Sequence, residues 1–106
     1  MRQSIGDTLL TWIDTYFGVY EDEKGIHVQD TLLDQEIERI LFYNEFILIL
    51  APGEKKYYPA QSFKKRLKTW ALYRSLLYNN DKKDKDGNPG GDNKRHGIEY
   101  FRISKN

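Results

Sequence analysis

The 106-residue sequence predicts one α+β domain, with three helices followed by a C-terminal β-hairpin. Three stretches, 7–18, 30–46 and 61–78, repeat apolar residues at helical spacing. Residues 97–103 instead form a short run of mostly strong β-formers, after a polar stretch at 79–96. The length suits a modest core that needs no staples. Eight tyrosines, five phenylalanines and two tryptophans can make that core dense. Without cysteine, neither disulfides nor thiolate metal sites are available.

Residues 1–4 are expected to fray. Residues 7–18 read DTLLTWIDTYFG. Asp7 suits a helix N-cap, Leu9, Trp12, Ile13, Tyr16 and Phe17 keep helical spacing, and Gly18 ends the run. Residues 19–30 form a connection, with a turn at 21–25 in which Gly25 takes positive φ, and a short strand at 26–28. No Ser or Cys nucleophile is paired with His27 by a recognisable motif, so His27 reads as a strand or loop histidine.

A second helix is expected from Asp30, which suits an N-cap, through about Phe46. Acidic residues fill its early turns, where the helix dipole favours them, and Leu33, Ile37, Ile40 and Leu41 follow helical spacing. Glu36, Glu38 and Glu45 read as a solvated acidic face. Residues 46–50 (FILIL) fit a buried strand as well as a helix continuing to Leu50, and Pro52-Gly53 ends either one.

The third helical stretch, residues 61–78, reads QSFKKRLKTWALYRSLLY and starts just after Pro59, a residue tolerated in a first helical turn. Tyr57 or Tyr58 is placed to make an apolar contact across its start. At about 100° per residue, Phe63, Leu67, Trp70, Ala71, Leu77 and Tyr78 share one side. Lys64, Lys65 and Lys68 share a neighbouring side, with Ser75 beside them. Trp70 therefore reads as core rather than as a platform for bases. Arg74 projects from the apolar side, either past the core edge or towards a carboxylate of the N-terminal half.

Residues 79–96, NNDKKDKDGNPGGDNKRH, carry no aliphatic or aromatic side chain, a composition expected to stay mobile. Counted from Asp81, a calcium-loop glycine falls one place late at Gly87, and lysines interrupt the acids, so no metal is expected. The glycines do not link a strand to a helix, which excludes a phosphate-cradling loop. Residues 76–80 are expected to pair with the strand at 98–103, making 79–96 the tip of a hairpin.

Charge is divided unevenly. Residues 1–52 hold three Lys and Arg against ten Asp and Glu, a net of −7. Residues 53–106 hold fourteen against six, a net of +8, which points to a basic binding surface in the C-terminal half. Three helices, the third basic, then a hairpin with a basic tip, is the layout of a winged helix-turn-helix. Lys64, Lys65 and Lys68 would then touch phosphates from the helix. Lys82, Lys83, Lys85, Lys94 and Arg95 would do so from the wing. Such contacts provide salt-sensitive affinity for DNA or RNA and little sequence choice. Arg66 and Gln61 are the candidate base readers. The arrangement requires the helix lysines and the loop cations to share one exposed surface.

Pro59, the run Phe63-Lys64-Lys65-Arg66-Leu67-Lys68, Trp70, Tyr78-Asn79, the polar loop and Glu99-Tyr100-Phe101 together resemble a known family. It is the C-terminal tail domain of phage- and plasmid-type primase–helicases, the virulence-associated E-like and poxvirus-type group. The opening Trp12-Ile13-Asp14-Thr15-Tyr16-Phe17 is similar to the start of that tail. The resemblance implies a winged-helix-like accessory domain that follows an ATPase core and helps engage DNA during replication of a mobile element. No Walker A or primase acidic motif occurs here, so no catalytic residue carries over.

A protein–protein module of winged-helix type, contacting partners through the acidic second helix, is the alternative. Two histidines, no cysteine and no paired-carboxylate motif argue against an enzyme, and no cofactor is expected. The longest apolar run, 46–51, is too short to cross a bilayer, and no signal peptide is visible, so a cytoplasmic location is expected.

Overall fold

The structure is a computed structural model and describes residues 5–106. It is an α+β fold. Helices α1 (Asp7–Tyr16), α2 (Arg39–Leu48) and α3 (Ala60–Tyr73) enclose an aromatic core. Seven short strands complete it: β1 (Val19–Asp22), β2 (Gly25–Val28), β3 (Ile37–Glu38), β4 (Leu76–Tyr78), β5 (Asn93–Arg95), β6 (Ile98–Phe101) and β7 (Ile103–Lys105). They pair antiparallel in small sheets ordered β1–β2, β3–β6–β5 and β4–β7.

The core forms where the apolar stripes of the helices meet the inner faces of β6 and β7. Ile13 and Phe17 come from α1 and its end, Phe42 and Phe46 from α2, Phe63, Leu67 and Trp70 from α3, and Phe101 and Ile103 from the strands; all are buried. Each such side chain contributes about 1.5–3 kcal/mol of burial. Phe17 stacks on Trp70 at 5.1 Å, and Phe42 meets Phe101 edge-on at 5.2 Å. Polar groups tie α1 to α3 across this core. The Trp70 indole N–H donates to Asp14 Oδ1 at 2.8 Å, and Arg74 Nε donates to the same oxygen at 3.0 Å. Of the two roles open to Arg74, it takes the pairing with an N-terminal carboxylate.

Asp7 is the first residue of α1 rather than its cap. The cap position is Gly6, at φ 92, where a Cβ would fall 2.5 Å from the Tyr58 hydroxyl oxygen. The connection after α1 is a complete hairpin, in register from Val19 opposite Val28 to Asp22 opposite Gly25, and Gly25 has the expected positive φ of 116.

The second helix begins at Arg39, not at Asp30. Residues Asp30–Leu32 make one 3-10 turn, and Ile37–Glu38 pair with Phe101 and Tyr100. Tertiary partners outcompete helical spacing here. The Asp34 N–H donates to the Ile103 carbonyl at 2.7 Å, and a helix would forfeit that bond together with the β3–β6 ladder. Ile40 and Leu41 consequently face outward, although their spacing suggested core. Residues 46–48 are helical, which excludes the strand alternative: Phe46 is buried one turn after Phe42, while Leu48 is 83% exposed.

Helix α3 ends at Tyr73, earlier than the apolar pattern indicates. Ser75, at φ 58, turns the chain, so Leu77 and Tyr78 enter β4 rather than the helical face. β4 pairs with the C-terminal segment as expected, through β7 rather than β6, with Leu76 opposite Lys105 and Tyr78 opposite Ile103. The hairpin is instead β5–β6, closed by the two-residue turn His96-Gly97 with both φ positive, as hairpin twist favours.

The stretch 79–96 includes the start of β5 at Asn93, and its residues 83–89 are exposed. Its polar groups satisfy one another. Asn79 is buried; its side chain donates to the Gly91 carbonyl at 3.0 Å and accepts from the Arg102 N–H at 2.8 Å. The N–H groups of Gly90 and Gly91 donate to the Lys82 carbonyl. Asp84 Oδ1 accepts from the N–H groups of Asp86 and Asn88, both at 2.9 Å, forming the tip. Gly91 is required, because a Cβ there would lie 2.1 Å from the Lys83 carbonyl oxygen.

Candidate nucleic-acid interface

Helix α3 starts after Pro59, whose extended backbone occupies the cap position. Burial of Phe63, Leu67, Trp70 and Ala71 turns the lysine side of the helix outward, as its spacing predicts. Lys64 then reaches Asp92 of the loop and Glu99 of β6, and Lys68 borders a cleft with the loop.

Lys64 lies at this junction. Its Nζ is 2.8 Å from Asp92 Oδ1 and 3.2 Å from Glu99 Oε2. Glu99 is only 8% exposed, and Arg39 donates to it from α2 at 3.1 Å. One buried carboxylate thus joins α2, α3 and β6. Burial opposes the Lys64 charge, but its bonds to Asp92 and Glu99 outweigh this and raise its pKa above the ordinary lysine value. The Lys64 ammonium in turn holds the Asp92 carboxyl below the usual carboxylate range.

Arg66 is occupied internally. It donates to the Ile5 carbonyl at 2.7 Å and the Tyr57 carbonyl at 3.0 Å, and lies 4.9 Å from the centre of the Tyr58 ring. These contacts clamp the start of α3 to the N-terminal segment and engage the Arg66 guanidinium. Arg95 is likewise held: it makes a two-pronged pair with Glu36, which also accepts from Asn93 at 3.0 Å, and it covers the Tyr100 ring at 4.4 Å. Hydrogen bonds from Arg95 and Asn93 lower the Glu36 pKa.

The other expected cations remain outward. Lys65 is exposed on α3, and Lys68 lies 5.6 Å over the Tyr78 ring without an ion-pair partner among the described residues. Lys82, Lys83, Lys85 and Lys94 have no such partner either among the described residues. Lys68, Lys83 and Lys85 border one cleft with Gly90, Gly91 and Asp92. Lys94 borders a separate cleft beside Arg39 and Glu99. The structure therefore brings part of the expected set together across α3 and the loop, and diverts Lys64, Arg66 and Arg95 into internal bonds.

Sequence reasoning missed the acids that neutralise those cations. Glu99, Asp92 and Glu36 come from three separate segments, and no local spacing links them to Lys64 or Arg95. It also missed a cleft beside the lysines in which Leu72, Leu76, Leu77 and Pro89 meet the polar Asn80 and Asp84. Tyr78 packs behind it, its ring nearly parallel to Phe101 at 5.9 Å. Its hydroxyl is buried without a hydrogen-bond partner among the described residues, and that burial raises its pKa. No helix among the described residues is long and apolar enough to cross a membrane. Comparison with protein-family models, with curated proteins and with solved structures finds no match.

Proposed function

We propose that this chain is a winged-helix-like nucleic-acid-binding accessory domain, not an enzyme, acting through α3 and the loop that follows it. The observation that carries the reading is the cleft shared by Lys68 of α3 with Lys83 and Lys85 of the loop. Three ammonium groups, against the carboxylates of Asp84 and Asp92, leave that concave surface net positive and suited to phosphate. The element order supports the fold assignment: β3 lies between α1 and α2 in sequence, the β5–β6 hairpin follows α3, and these strands form one sheet ordered β3–β6–β5. The likeness to primase–helicase tails rests on sequence patterns alone. It suggests a replication role of a mobile element, in the cytoplasm, beside an ATPase core.

Fluorescence anisotropy with labelled oligonucleotides across a salt series tests this reading. Binding should weaken with salt, and neutralising Lys68, Lys83 and Lys85 together with glutamine should reduce the salt slope by about two for a single strand, at roughly 0.7 per phosphate contact. Undetectable binding at low salt, or a triple variant indistinguishable from wild type, would exclude it.

One observation favours a protein–protein role as the second reading. Ile40, Leu41, Leu48 and Ile49 are exposed along α2 and its end, and such outward aliphatic groups suit contact with another protein surface.

A further inference from the structure

We infer that the polynucleotide taken by this domain is single-stranded, its phosphates on Lys68, Lys83 and Lys85 and one base seated against Leu72, Leu77 and Pro89. This rests on the nucleic-acid reading above and narrows it to a substrate class.

Three observations lead there. The lysine cleft and the leucine-lined cleft adjoin, since both border Lys68, Asp84 and Gly90. Leu72 lies one helical turn beyond Lys68 on α3 and is 69% exposed, beside the half-buried Leu76 and Leu77. Lysines beside a slot of Leu72, Leu77 and Pro89, edged by the polar Asn80 and Asp84, suit a strand with phosphates on one side and a base face on the other. Duplex DNA hides its base faces in the stack and offers only base edges and phosphates. It would leave the slot unused.

The N-terminal half of α3 points the same way. That part of a recognition helix reaches base edges in a major groove. Here its Lys64 is bonded to Asp92 and Glu99, and its Arg66 to backbone carbonyls. Lys65 stays exposed on that first half, while Lys68, Lys83 and Lys85 gather around the second half of the helix and the loop. Asp84, the remaining acid at the cleft, has one oxygen committed to the N–H groups of Asp86 and Asn88.

The test uses the full chain and four fluorescein-labelled probes of equal length, roughly 12 nucleotides, within the range one single-strand-binding module covers. They are oligo-dT, oligo-rU, a DNA duplex and an abasic deoxyribose-phosphate strand. Oligo-dT or oligo-rU should bind about tenfold more tightly than the duplex and the abasic strand, consistent with one seated base. Tighter binding of either sugar supports the inference, and the stronger of the two identifies DNA or RNA. Leu72→Ala removes an exposed side chain, so the fold should survive, as circular dichroism will check. It should weaken single-strand binding about threefold or more and leave abasic binding unchanged. Duplex or abasic binding as tight as oligo-dT and oligo-rU, or an unaffected Leu72→Ala, overturns the single-strand inference while the nucleic-acid reading stands. Absence of binding to all four probes at low salt overturns both.

Discussion

Replacing Asp14 should separate the two bonds that tie α1 to α3. Its carboxylate accepts from the Trp70 indole at 2.8 Å and from Arg74 Nε at 3.0 Å, with a second Arg74 nitrogen on its other oxygen. Trp70 is fully buried, and the Arg74 and Asp14 side chains are 12% and 20% exposed. Asp14→Ala leaves a buried indole N–H without an acceptor, worth about 1–3 kcal/mol. It also leaves a largely buried guanidinium without its anion. A fully buried pair would lose about 3–5 kcal/mol, and access of water to Asp14 reduces that to about 1–2 kcal/mol. The total is about 3 kcal/mol, or a fall in Tm of roughly 15 °C for a domain this size. Asp14→Asn keeps an oxygen for the indole and removes only the charge, so about 1–2 kcal/mol is expected. Urea denaturation followed by tryptophan fluorescence measures both variants, and Arg74→Met completes a double-mutant cycle with Asp14→Ala. A loss below 1 kcal/mol for Asp14→Ala, or equal losses for the two variants, would refute the assignment of the tie to these bonds.

Two further outcomes concern the loop and its acids. Asn79→Ala removes the amide that joins Gly91 to Arg102 and places alanine at φ 46, so it should destabilise by about 2–3 kcal/mol and speed amide hydrogen exchange at Gly90, Gly91 and Arg102. Asp92 and Glu36 have folded-state pKa values below their unfolded ones, through Lys64 and Arg95 respectively. The stability they add is therefore complete above the unfolded value of about 4 and is lost as pH falls through the folded values. The urea midpoint should decline below about pH 5, and less steeply in Asp92→Asn and Glu36→Gln; parallel curves for variants and wild type would contradict the pairing.

Where local chemistry decided, the chain was legible. The positive φ of Gly25, the burial of Phe63, Leu67, Trp70 and Ala71, and the start of α3 after Pro59 each depend on neighbours within a turn or two. The start of the second helix was not. Leu33, Ile37, Ile40 and Leu41 have helical spacing, yet Ile37 is pulled into β3 by residues more than sixty positions away. The hydrogen bonding within the loop was not legible either. A stretch without apolar side chains can still fold when a buried Asn79 and the Gly90–Gly91 backbone complete one another's hydrogen bonds, and composition does not report bond geometry.

By itself, the sequence determined the α+β class, the faces of α1 and α3, and the concentration of positive charge after residue 53, because periodicity and charge are properties of the chain. Only the tertiary structure decided which of those charges remain available. Lys64 and Arg66 are bonded to groups from distant segments, Arg95 is paired with Glu36 at the surface, and Lys68, Lys83 and Lys85 are brought around one cleft. The physical reason is that a cation's availability depends on which carboxylates and carbonyls the fold places within about 3 Å of it.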